Sequence, residues 1–466
     1  MTTESDWLNY DVEEMVSGDK NSLWHHMKPH RLFENQEQMI IVEGKGLTVK
    51  DIRGREYLDA TSGGVWSVMV GYGRDSIADA VCAQMKKMPY FAGVFGNVPA
   101  IKFANKLLEK LPRMQKVYFS NSGSEANEKS FKIVRQAAKI DPTRQGKYKI
   151  LFRDRDYHGT TIGALSSSGQ FERKSDFGPF VEGFVEVPHC LCYRCDFNKT
   201  YPGCNMECAT AVEDIILKEG PESVGAIILE PITAGGGILP PVQEYFPTVQ
   251  KICKKYGVWI ILDEVVCGFG RTGKFWGHEH YDVDPDMVTM AKGLASSYEA
   301  LSATVVKQEI YDIFLNDVAN ADQRLNFFRD ISTYGGCTGP MTAALESTRI
   351  IEDENLVENS REMGVYLLEQ LMTLRKLPNV GDVRGVGLFC GVEFVTDQQS
   401  NKPISEQQMA TLMGNILAEG VIVGRTNNSL PGMNTNINLA PSLIITRDQI
   451  DQIVTAVRKA INKTFQ

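Results

Sequence analysis

An α/β fold with a mostly parallel sheet, followed by a smaller α+β unit, is what this 466-residue sequence predicts. Two observations carry the prediction. Between about Gly73 and Met341, short continuous apolar runs alternate with amphipathic stretches, and past Pro340 that rhythm gives way to long helical segments around a glycine-punctuated strand pair. Strands without polar alternation are buried on both faces, as a parallel sheet covered by helices requires. Composition agrees, since 43% hydrophobic and 23% charged residues describe an ordinary globular chain long enough for two or three domains. A formal charge of −9 lacks the basic excess of a nucleic-acid binder. The longest apolar runs, such as Val258 to Leu262, fall far short of the ~20 residues that span a bilayer. The start, MTTESDWLNY, is acidic where a targeting segment would be basic and then apolar. Ten cysteines without a secretory signal predict free thiols in a reducing cytoplasm.

Taken in order, residues 1–75 read as an irregular N-terminal arm and small-domain segment. It holds short β-like pieces at Met39 to Val42, Leu47 to Asp51 and Tyr57 to Asp59, with Gly44, Gly46 and Gly54 as turn punctuation. Residues 76–340 read as the large domain, with strands at Val117 to Phe119, Lys149 to Phe152, Phe184 to Val187, Val224 to Leu229, Val258 to Leu262, Met287 to Met290 and Ala303 to Val306. Residues 341–466 read as the small C-terminal domain. One long helical segment reaches about Lys376, then come the strand pair VRGVGLFCGVEFV, a helix near Glu406 to Glu419, a strand GVIVGR and a final helix from Asp448. No internal repeat or low-complexity tract is present.

Four pieces of the large domain converge on one sheet edge. Asp263 ends a strand, and Lys292 lies 29 residues further on, at the end of the next apolar run. In a parallel sheet both project from the carboxyl edge, where open α/β folds bind ligands. The strand ending at Ser120 runs into NSGSEANEKS, where Gly123 lets the backbone approach a ligand and Ser122 and Glu125 fit a capping box. Ala126, Ser130, Val134 and Ala137 follow at helical spacing. The free amides of that helix start favour an anion. Tyr157-His158-Gly159 follows the strand KILFRDR and offers an aromatic face for a flat heterocycle. Singly, each piece reads as an ordinary strand end, cap or packing residue.

Phosphate cradle, aromatic face, carboxylate and lysine together describe a pyridoxal phosphate site, and their order resembles the class III aminotransferases of fold type I. The resemblance covers nearly the whole chain. It rests on YLDATSGGVWSVMVGYG, SNSGSEANE, DYHGTT, ILEPI, LDEVVCGFGRTG, MAKGL around Lys292, TYGG at Thr333 and VRGVGLF. It implies pyridoxal 5'-phosphate carried covalently by Lys292, which also moves the substrate proton, and a ring nitrogen kept protonated by Asp263. It further implies Gly123 and Ser124 on the phosphate, Tyr157 and Val265 on the two ring faces, and Glu230 close by. Thr333 is implied to reach the phosphate of a neighbouring subunit, so a homodimer is expected, alone or paired into a tetramer.

Within the family the match is most similar to ω-amino acid:pyruvate and taurine:pyruvate aminotransferases, notably through TYGGCTGP and GRTNNSLPG. TYGGCTGP departs from the pattern of many relatives, with Cys337 and Thr338 where they carry His and Pro. Arg425 falls where such relatives bind the substrate's acid group, and a planar guanidinium suits carboxylate and sulfonate. Trp66 and Phe91 are the expected aromatic wall. The implied reaction moves the amino group of taurine to pyruvate, giving sulfoacetaldehyde and alanine. Rival readings are a β-alanine or other ω-amino acid donor, a decarboxylase or aminomutase on the same fold, and a catalytically silent binding protein. Intact Lys292 and Asp263 speak against the last.

Two motifs compete with this reading. Gly268 to Gly273 matches G-x-G-x-x-G, but KFWGHEHYDVDPD follows it with no helix to present amides to a pyrophosphate, so a loop is expected. Cys190, Cys192, Cys195, Cys204 and Cys208 have spacing compatible with structural zinc. Transamination needs no metal and clustered thiols also occur unligated, so none is assigned. His25, His26 and His30 read as solvated arm residues.

Overall fold

In the computed structural model all seven predicted large-domain strands fall into one sheet. The model describes residues 9–317 and 319–465; Met1 to Leu8, most of the acidic start, lie outside them. From one edge the order is Lys116–Ser120, Ser302–Val306, Met287–Met290, Trp259–Asp263, Val224–Leu229, Lys149–Arg153 and Phe184–Val187. Pairing is parallel from Met287–Met290 through Phe184–Val187. Ser302–Val306 alone runs antiparallel, to both of its neighbours.

The alternation of side chains explains why these strands carry no polar face. Ile227, Leu229, Ile260 and Leu262 pack with Val212, Ile216, Tyr245, Phe246 and Val249 on one side. Ala226, Ile228 and Ile261 meet Phe131, Ile133, Val134 and Ala137 on the other. Both faces are therefore core, and burial of each large apolar side chain contributes about 1.5–3 kcal/mol. The strands end in register, with Leu229 beside Leu262 and Asp263 beside Thr289. That register brings Glu230, Asp263 and Lys292 to one edge.

The remainder is less regular, and departs from expectation in four places. The β-like pieces near the N-terminus become Ile41–Lys45, Thr48–Asp51 and Glu56–Asp59, a sheet completed by Val421–Ile422 from the far end of the chain. They are preceded by helices Val12–Ser22 and His30–Asn35. The long segment after Pro340 is two helices, Thr338–Asp353 and Leu356–Met372, because Asn355 adopts left-handed φ of 53° between them. GVIVGR is not one strand: Val421–Ile422 pairs with Glu56–Asp59, whereas Gly424–Arg425 pairs with Asn436–Leu439 in a second sheet. Asn436–Leu439, to which the sequence assigned no element, is a buried strand. No described helix is long and apolar enough to cross a membrane.

Candidate active site

Lys292 opens a short 3₁₀ turn after Met287–Met290, with φ of 43°, a left-handed conformation that costs a non-glycine residue about 1–3 kcal/mol. Trp66 is left-handed too, with φ of 65°, and the Lys292 ammonium nitrogen stands 5.5 Å from its ring centre. Part of Lys292 reaches an opening, but its amine is enclosed by protein. Burial pushes the amine pKa down, opposed in part by the carboxyls of Glu230 and Asp263. A lysine held toward its neutral form is a nucleophile and a base.

Asp263 is held on three sides. Its Oδ2 accepts from Asn127 Nδ2 at 2.8 Å and lies 2.8 Å from His158 Nδ1, and its Oδ1 accepts from the Val265 amide at 3.0 Å. An ionised carboxylate only accepts, so His158 presents Nδ1–H to it. Asn127 is itself fixed: its Oδ1 accepts from Thr289 Oγ1 and its Nδ2 also donates to the His158 carbonyl. Glu230 accepts from the amides of Tyr157 and Ala234. Burial, and then the nearby Asp156 and Asp263, raise the Glu230 pKa well above the usual carboxyl range.

The helix Gly123–Ile140 begins at the same edge. Ser122 Oγ accepts from the Glu125 amide as expected, but Glu125 Oε2 accepts from the Asn121 amide rather than from that of Ser122. A Cβ at Gly123 would come within 3.1 Å of Val265 Cγ2, which sets Val265 against the helix start. Ser124 Oγ accepts from the Thr160 amide, and a Cβ on Gly159, at φ of 141°, would strike that same Oγ at 2.4 Å. Glycine is therefore required where the Tyr157 loop crosses the helix start. Gly123, Ser124, Tyr157, Glu230, Asp263, Val265, Lys292 and Trp66 are thus brought together.

Three predicted residues lie apart. Phe91 is 47% exposed and packs edge-on against Phe95. The turn Thr333–Gly336 abuts it, since a Cβ at Gly336 would fall 2.0 Å from the Phe91 carbonyl oxygen, and Thr333 is exposed. Arg425 ion-pairs with Glu406 and donates to the Asn434 carbonyl. Its neighbour Gly424 faces Trp66, with a built Cβ 3.7 Å from Trp66 Nε1. Alternation along the strand turns Arg425 the other way, into a cavity lined by Trp24, His25, Lys28, Glu172, Asn427 and Asn434. Sequence reasoning also missed the parts played by Asn127 and His158. The signal for Asn127 was its place one turn into the helix, above a strand-end carboxylate.

Both competing motifs have structural explanations. Gly268 to Gly273 is a turn-rich loop around buried Arg271, which donates to the Leu388 and Pro441 carbonyls and to Ser62 Oγ. The five clustered cysteines are free and line one small cavity. Among the described residues, the group whose ligand atoms lie mutually within 4.8 Å is Asp154, His189 and Asp196 rather than any set of thiols. His189 Nδ1 accepts from the Leu191 amide, which leaves the ring proton on Nε2, 3.0 Å from Asp196 Oδ1. Of the histidine trio, His25 stacks on Phe33 and meets Asp19.

Comparison with known proteins matches residues 32–461 to the family model described as aminotransferase class-III. A hypotaurine/taurine–pyruvate aminotransferase of Paracoccus denitrificans is 50% identical, with 98% of both chains covered. A taurine–pyruvate aminotransferase of Bilophila wadsworthia is also 50% identical, over 98% of this chain and 99% of its own. Among solved structures, a Bacillus anthracis aminotransferase superposes with a TM-score of 0.92 at 40% identity, covering 97% of this chain and 98% of that one.

Proposed function

This chain belongs to the class III aminotransferases, and from that premise we propose that it uses pyridoxal 5'-phosphate to move the amino group of taurine to pyruvate, giving sulfoacetaldehyde and alanine. The observation that carries the reading is Asp263, a buried carboxylate fixed by Asn127, His158 and the Val265 amide in electrostatic range of Lys292. The half-identical relatives named for taurine supply the donor. The residues present fit the cofactor: Gly123 leaves the helix start open, Val265 and Tyr157 offer apolar and aromatic surface, and Asp263 offers a fixed acceptor. When bound, the cofactor supplies a protonated pyridine ring that withdraws electrons from the substrate carbon.

The chain's own groups do the rest. Asp263 keeps a proton on the ring nitrogen, and its three partners stop it from turning away. Lys292 Nζ, held toward neutrality by burial, attaches the cofactor and carries the proton between substrate carbon and cofactor. Gly123 and Ser124 hold the phosphate at the positive end of their helix. Trp66 walls the substrate side. Arg425, once released from Glu406, receives the distal acid group of the donor.

A homodimer, singly or as a pair, is part of the reading. Phe91, Val94, Phe95, Val98 and Ile101 are all exposed, and Thr333 lies on the same face. Covering that patch with a second subunit would remove apolar surface from water and carry Phe91 and Thr333 to the neighbouring site. A cytoplasmic location agrees with ten free thiols. The test is a panel of amino donors with pyruvate, measuring alanine. Taurine should be the preferred donor, and preference for β-alanine or a neutral amine would replace it.

A further inference from the structure

The four-residue helix Phe171–Lys174 stands between the Arg425 cavity and Tyr157. Glu172 turns toward the Arg425 side, where its Oε2 accepts from Asn434 Nδ2 at 2.7 Å. Arg173 turns the other way, with its guanidinium carbon 4.9 Å from the Tyr157 ring centre. Among the described residues no carboxylate pairs with Arg173, and its Nε is buried without an acceptor. Burial lowers its pKa, opposed in part by the Tyr157 hydroxyl and the Glu230 carboxyl. Arg173 thus packs on Tyr157, a residue of the Lys292 edge, whereas Arg425 is turned into the cavity that holds Glu406 and Asn434. A largely enclosed guanidinium that shares only the Tyr157 hydroxyl and keeps Nε without an acceptor, on the ring that flanks the site, is a place for an anion.

The two substrates place their acid groups differently. Taurine carries its sulfonate two carbons from the amine, and pyruvate carries a carboxylate on the reacting carbon itself. The nearer cation then serves the nearer anion. Resting on the aminotransferase reading above, we propose that Arg173 binds the carboxylate of the keto-acid acceptor, leaving Arg425 for the distal acid group of the donor. Two arginines, one for each acid group, replace one that would have to serve both half-reactions.

The test loads the enzyme with pyridoxamine 5'-phosphate, so that the acceptor half-reaction is read without any amino donor. Pyruvate is compared with propanal, an acceptor lacking the acid group, in wild type, Arg173→Ala and Arg173→Lys. Arg173→Ala should lower the second-order constant for pyruvate about 10- to 100-fold, the loss expected of a charge-assisted hydrogen bond. The constant for propanal, cofactor retention and the taurine half-reaction should stay within about twofold, and Arg173→Lys should recover part of the loss. Equal losses on pyruvate and propanal, or weakened cofactor retention, would overturn the assignment, as would a loss confined to taurine. A wild-type enzyme that ignores taurine but aminates pyruvate would sink the donor reading and leave the Arg173 comparison standing. One that prefers propanal to every keto acid would overturn both.

Discussion

The edge that carries Asp263 and the side that carries Arg425 are built by opposite rules. Both oxygens of Asp263 are held by partners, and Asn127 is itself braced by Thr289, while Oδ1 keeps room for a further donor. Arg425, by contrast, is held by Glu406, whose side chain is 72% exposed. A buried, hydrogen-bonded network cannot rearrange without leaving polar groups unsatisfied. An exposed ion pair contributes only about 0–1 kcal/mol and opens readily. The chemistry common to all substrates is locked, and the part that must discriminate among substrates is left adjustable.

The locked side breaks most visibly at its centre. Lys292→Ala should lower turnover by about three orders of magnitude or more, since it removes both nucleophile and proton carrier. Wild type reduced with borohydride should carry the cofactor on Lys292 and the variant should carry none; full turnover in the variant would end the assignment. Asp263→Asn should keep the fold and lose about 100- to 1000-fold in kcat, because an amide cannot hold a charged ring nitrogen. The cofactor's absorption spectrum reads the ring's protonation directly, and unchanged kcat would make Asp263 structural.

Asn127→Ala sharpens the contrast, because Asn127 touches Asp263 from behind. Loss of one hydrogen bond to an ionised group costs about 1.5–3 kcal/mol, so kcat should fall about 10- to 100-fold with KM for taurine little changed. A change confined to KM would show that Asn127 does not act through Asp263.

The same division explains what the sequence disclosed. The seven large-domain strands were legible because a strand buried on both faces must be apolar at every position, and Val224–Leu229 leaves no other reading. Asp263 and Lys292 were placed at one edge because each follows such a run, whereas Glu230, Val265 and Trp66 came from the family resemblance. What stayed hidden depends on partners remote in sequence. GVIVGR looks like one strand, yet Val421 pairs with Leu58 and Arg425 with Ile437 in different sheets. Asn436 and Asn438 resemble turn residues, yet the Asn436 carbonyl oxygen of the side chain accepts from buried Arg384, and Asn438 bonds Thr426. Arg173 had no motif to announce it, because its meaning lies in its packing against Tyr157, which only the fold brings about.

The adjustable side yields the smallest effects. Arg425→Ala should reduce kcat/KM for taurine about tenfold, at the lower end for a charge-assisted pair because the wild-type residue must first leave Glu406. A neutral amine donor should be unaffected, and so should pyruvate if Arg173 receives it. Glu406→Gln separates cost from benefit. With its charge removed, Arg425 no longer starts from an ion pair, so KM for taurine should fall, by at most about fivefold given the ~0–1 kcal/mol of an exposed pair. That gain should fade at high salt, which already screens the wild-type pair. A rise in KM would mean that Glu406 positions Arg425 for the donor rather than withholding it, and the loose side of the site would have to be regarded as another fixed one.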